Sequence, residues 1–127
     1  MRPTSAALAT ALLVGALCAC DSLTAPDTDL LHVQAVPPTL LIRNLVQVPV
    51  YTFIVDRDLL ALIDWVPCTN PETCTRLTPG EHTIPYSEIS GYNENSREVA
   101  VYHWRLIAKP GGGFEPDSVR QLIVALP

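Results

Sequence analysis

The chain has 127 residues, 48% of them hydrophobic, with 13 acidic against 8 basic side chains for a formal net charge of −5. Its arginines are scattered and Lys109 is its only lysine, so it lacks the basic stripe of a nucleic-acid binder and the polybasic patch that draws a protein to anionic lipid. The length suits one domain with a modest core.

Arg2 precedes Ala6 to Leu17, an apolar run of twelve interrupted only by Thr10. Such a run is the hydrophobic region of an export signal, and it is too short for a membrane-crossing helix, which needs about 20 apolar residues. Directly behind it stand Leu17-Cys18-Ala19-Cys20-Asp21, with an aliphatic residue three places before Cys20 and a small one immediately before it.

This stretch resembles the lipobox of bacterial lipoproteins. The resemblance implies that residues 1–19 are a signal peptide, that Cys20 gains a diacylglyceryl thioether, and that the protein sits in a bacterial cell envelope, bound to a membrane through its N-terminal lipid. The alkylation needs a thiolate at that place; Cys18 would put the bulky Leu17 where a small residue is wanted. Two or three acyl chains hold firmly, at about 0.8 kcal/mol per buried CH₂. The plainer alternative is a secretory signal cut near Ala19, which leaves Cys20 a free thiol. Inner and outer membrane both stay open. Taking 19 residues from 127 leaves 108, and losing Arg2 leaves 7 basic against 13 acidic residues.

Residues 20–30 are polar and aperiodic and form a tether, which leaves 31–127 for the domain. Leu30 to Val36 supply a short first strand, ended by Pro37-Pro38, since proline donates no ladder hydrogen bond. Short β-rich runs then follow at turn spacing: 39–46, 49–55, 59–66, 75–77 with 81–85, 97–107 and 118–126. Leu59 to Ile63 favour helix by composition, but only eight residues separate Asp58 from Pro67, which suits a strand better. In 97–107 the alternation puts Ala100, Tyr102, Trp104 and Leu106 on one face and Val99, Val101, His103 and Arg105 on the other. The first set is the more aromatic, and we expect it to be the core. In 118–126, Leu122, Val124 and Leu126 share a face. Lys109 to Gly113 make a hairpin loop whose glycines supply positive φ. Six or seven such strands predict an all-β fold, a small antiparallel sandwich of immunoglobulin-like character. Leu77-Thr78-Pro79-Gly80 resembles the Leu-x-Pro-Gly turn of fibronectin type III domains, although Thr83 stands where their tyrosine belongs.

Cys68 and Cys74 close a short loop, which in an exported domain points to a disulfide. The rival is half a zinc site completed by His82 and His103, although a five-residue gap is wider than the usual ligand spacing. No G-x-S-x-G elbow or H-E-x-x-H helix is present to make His32, His82 or His103 a base or ligand, and no cofactor is called for. Asp56, Asp58 and Asp64 lack the glycine-bearing loop of a calcium site. Tyr92, in Gly91-Tyr92-Asn93-Glu94-Asn95, has loop surroundings where recognition residues concentrate and is the candidate binding residue. These features predict a non-enzymatic binding or structural module with an unidentified envelope protein or glycan as partner. The alternative is a small metal-binding or enzymatic envelope protein using His82 or His103.

Overall fold

Alternation begins at the first described residues and sets one wall of the domain. The computed structural model describes residues 30–127; the expected signal peptide, Cys20 and the expected tether up to residue 29 lie outside them. In β1 (Leu31–Val36), Leu31, Val33 and Ala35 turn inward while His32, Gln34 and Val36 are exposed. Strand β2 (Thr39–Asn44) pairs antiparallel with it and buries Leu40 and Ile42 completely. Burying a side chain of that size stabilises by about 1.5–3 kcal/mol. β5 (Gly80–Pro85) completes the three-stranded sheet β1-β2-β5.

Asn44 carries the chain across to the second sheet. Its Nδ2 donates to the carbonyls of Val48 (2.9 Å) and Leu77 (3.0 Å), and its Oδ1 accepts from Val46 N at 2.9 Å. A buried amide with these bonds joins both sheets without an orphaned polar atom. The second sheet has the order β4-β3-β6-β7, built from β3 (Val50–Asp56), β4 (Arg76–Leu77), β6 (Glu98–Ala108) and β7 (Phe114–Ala125). The fold is therefore a seven-stranded antiparallel sandwich, all-β as expected, with its short fourth strand on the four-stranded side.

Three expectations are corrected. Residues 59–66 are not a strand. Asp56 Oδ1 accepts from the backbone N–H of Asp58 (2.7 Å) and Leu59 (3.3 Å), capping a single helical turn, α1 (Arg57–Leu60); Leu and Ala are good helix formers once a cap is in place. Gly91, at φ +76°, lies against this turn so closely that a Cβ would collide with the Leu59 side chain. Strand β7 also starts earlier than residue 118. Its first residues pair with Arg105 to Ala108, and the register shift opposite His103 and Arg105 coincides with Ser118 at φ +53°, a β-bulge.

The third correction concerns the faces of β6. The inter-sheet core holds Leu31, Leu40, Ile42, Val50, Leu77, Val99 and Val101, with Leu122 and Val124 packed against it. Val99 lies opposite Val124, and Val101 opposite Leu122. The odd residues of β6 thus face the other sheet, and His103, expected outside, is 0% exposed among them. Ala100, Tyr102 and Trp104 face the opposite way, yet Trp104 is only 1% exposed.

Candidate functional site

Trp104 is buried because the chain doubles back over the outer face of the four-stranded sheet. After α1, residues 61–75 run as a strap with no strand partner, although their burial alternates: Leu62, Asp64 and Val66 are exposed, and Ile63, Trp65 and Pro67 half-buried. Trp65 lies on the outer residues of β3 and β6. Its ring is 4.8 Å from Phe53, 4.6 Å from Tyr102 and 6.1 Å from Trp104, all tilted, within the range where aromatic pairs attract beyond simple area burial. Gln121 Nε2 donates to the Tyr102 hydroxyl at 2.8 Å, and Trp104 Nε1 to the carbonyl of Cys68 at 3.1 Å.

The far end of the strap is closed covalently. Cys68 and Cys74 form a disulfide, their Cα atoms 5.7 Å apart. Inside its loop, the Asn70 carbonyl accepts from both Thr73 N and Cys74 N at 3.0 Å, and Asn70 Oδ1 from Glu72 N at 2.9 Å. Thr75 then rejoins the sheet edge by accepting from Thr52 N at 3.2 Å. Beside the disulfide a hollow of about 280 Å³ opens among Phe53, Trp65, Val66, Cys68, Cys74 and Trp104. A shallower one of about 380 Å³ separates Asn70, Pro71 and Glu72 from Lys109 and Phe114 of the β6–β7 hairpin. Outward from the strap, Leu62 and Val66 are 80% and 81% exposed.

The other singled-out residues lie elsewhere. Tyr92 is half-buried against the core with its ring 5.4 Å from that of Tyr86; its backbone N donates to Ile89 O. Burial raises the pKa of Tyr86 above the ordinary tyrosine value. His82 Nε2 is 2.7 Å from Thr78 O, and His103 Nδ1 is 3.2 Å from Val101 O inside the core. With both cysteines in the disulfide, the imagined zinc set is not assembled, and among the described residues no three His, Cys, Asp or Glu side chains gather as a metal site. Asp56 serves its helix cap and accepts from Ser96 Oγ, which with the cap bonds lowers its carboxyl pKa against the opposing effect of burial.

Sequence reasoning missed Phe53 and Val66. The sequence held no signal for Val66, because Leu62, Ile63, Trp65 and Val66 are all apolar and only the structure shows which of them are covered. Among the described residues no helix is long and apolar enough to cross a membrane. The chain matches no family model, no curated protein and no solved structure.

Proposed function

We propose that this is a lipid-anchored protein of the bacterial cell envelope, fixed through Cys20, whose sandwich is a non-enzymatic module binding another envelope component. The observation that carries the binding part is the presentation of Leu62 and Val66, 80% and 81% exposed, on a strap held by the Trp65 contacts and the Cys68–Cys74 bond. Apolar side chains displayed by an ordered segment next to a hollow suit a protein partner: their ordering is already complete before association. The anchoring part rests on Leu17 to Cys20 and on a domain that begins ten residues behind Cys20.

Each part has its own test. Cys20→Ser should abolish labelling by an alkyne fatty acid and accumulate uncleaved precursor, while Cys18→Ser leaves both normal; the reverse pattern contradicts the box. A photocrosslinking amino acid at position 66 in intact cells should give a discrete adduct that the same residue at position 94 does not. Equal yields from both positions would remove the strap as the binding surface.

A further inference from the structure

The end of the sandwich where the tether enters has a different surface from the end opposite. Leu31 pairs with Asn44, which pairs with Gly80, so the chain enters beside the β2–β3 loop, and Leu45 N donates to Leu30 O at 2.9 Å. Across the sandwich the same end carries the β6–β7 hairpin. The β3–β6 ladder ends at Tyr51 and Trp104, while β6 and β7 go on pairing to Ala108 and Phe114. The last residues of β6 therefore overshoot by about 13 Å, at 3.3 Å per residue. Val48 and Ile107 line one shallow recess together. Leu45, Val48, Ile107 and Phe114 are between 40% and 45% exposed, so both loops of this end show apolar side chains.

Charge divides the two ends in the same sense. At the tether end Arg43 is paired with Glu81 at 2.7 Å and Arg105 with Asp117 at 2.9 Å. Lys109 and Glu115 on the hairpin cancel in count, as do the exposed Arg76 of β4 and Glu72 on the disulfide loop. At the other end Asp58, Glu88 and Glu94 are exposed, with Arg97 the one cation among the described residues there outside the Arg57–Glu98 pair.

We infer that the tether end is a shallow lipid-docking surface, on which Leu45, Val48, Ile107 and Phe114 rest in the headgroup region of the membrane that holds Cys20. This rests on the lipid-anchor reading above. Nine residues lie between Cys20 and Leu30, and the ten steps from one to the other span at most about 35 Å fully extended, so the anchor keeps this end beside the bilayer. Weak apolar contact then suffices, because tethering raises the local concentration of the surface. Lys109 at the hairpin can keep its ammonium among the phosphates while its stem lies in the interface, and the acidic end points into solvent.

The test uses the full-length protein, processed in cells and reconstituted into phosphatidylcholine vesicles containing a phosphatidylcholine with a nitroxide near the top of its acyl chain. Under the anchor reading Cys20 is alkylated and Cys68 and Cys74 are bonded, so a fluorophore on an introduced cysteine reports one position. Labels on Val48→Cys and Phe114→Cys should be quenched several-fold more than one on Glu94→Cys. Adding Val48→Glu and Phe114→Glu to an Ile107→Cys reporter should return its quenching to the Glu94→Cys level. Equal quenching at all positions, in protein that floats with the vesicles and carries the acyl mass on its N-terminal peptide, overturns the docking surface alone. A non-acylated protein that fails to float overturns the anchor, and the docking surface with it.

Discussion

The two faces of β6 are one residue apart and are closed in different ways. Val99, Val101 and His103 meet the opposite sheet, where cover comes from strands fixed by backbone ladders. On the other face Tyr102 and Trp104 meet a strap without strand pairing, held by one indole, one disulfide and a hydrogen bond from Trp104 to Cys68. The inner layer belongs to the sandwich. The outer layer is a second, smaller core that depends on a 15-residue stretch, residues 61–75, staying in place. A sheet strand with both faces covered reads as a nearly continuous run of buried residues, and β6 does so from Val99 to Trp104 with Tyr102 the one half-buried exception.

The sharpest way to break that comparison is to truncate on each side in turn. Trp104→Ala should cost about 3–5 kcal/mol, from lost contacts and the cavity left behind. His103→Ala, though on the other face, should also be severe, about 2 kcal/mol or more, because it too opens a buried site. Urea unfolding gives both values; a mild His103→Ala would mean that the inner face is not closed as described. Replacing Cys68 and Cys74 together by serine should cost about 2 kcal/mol on the loop-entropy account, with the loss confined to the outer layer: far-ultraviolet circular dichroism persists while tryptophan emission shifts to the red.

Asp56 ends β3 and starts the turn into the strap, so its effect should be smaller and pH-dependent. Ser96 and the cap bonds lower its pKa from 3.8. A carboxyl depressed in the folded state stabilises fully above its unfolded pKa, and that contribution is lost as pH falls through the folded value. Asp56→Asn keeps a capping oxygen but loses the charge to which Ser96 Oγ donates, and should therefore cost about 1 kcal/mol near neutrality, and the gap to the parent should narrow on acidification below pH 3.8; a gap that widens reverses the sign. The smallest effect is expected at Tyr86, whose buried hydroxyl has no hydrogen-bond partner among the described residues. Tyr86→Phe should raise stability by about 1 kcal/mol, the cost of leaving such a group unmet, in a thermal melt.

How far the fold was legible follows from what is local. Turn spacing and β-branched runs disclosed the strands of both sheets, and Cys68 and Cys74 disclosed their bond by compartment and spacing. Alternation in β6 showed two faces but not which was inner, because period two carries no information on what covers each side. Strand β7 held the answer: its apolar face, Leu122 and Val124, pairs with Val101 and Val99, but that register is a long-range fact. Residues 59–66 read as a strand because only eight residues separate Asp58 from Pro67, too few for a helix of ordinary length. What denies them a ladder is that both edges of β3 are occupied, by β6 on one side and by β4, Thr75 and Ser90 on the other. The strap surface was not legible, since exposure of Leu62 and Val66 depends on which side the sheet lies.

The claim that the outer layer is held separately from the sandwich is tested most directly with Trp65→Phe, which leaves Trp104 as the only tryptophan of the chain. Acrylamide quenching of that indole is measured before and after reduction of the Cys68–Cys74 bond. The account predicts weak quenching while the bond is intact and strong quenching once it is reduced, with the β-sheet circular dichroism unchanged. Quenching that stays weak after reduction, or a fold lost as a whole when the bond is broken, would contradict it.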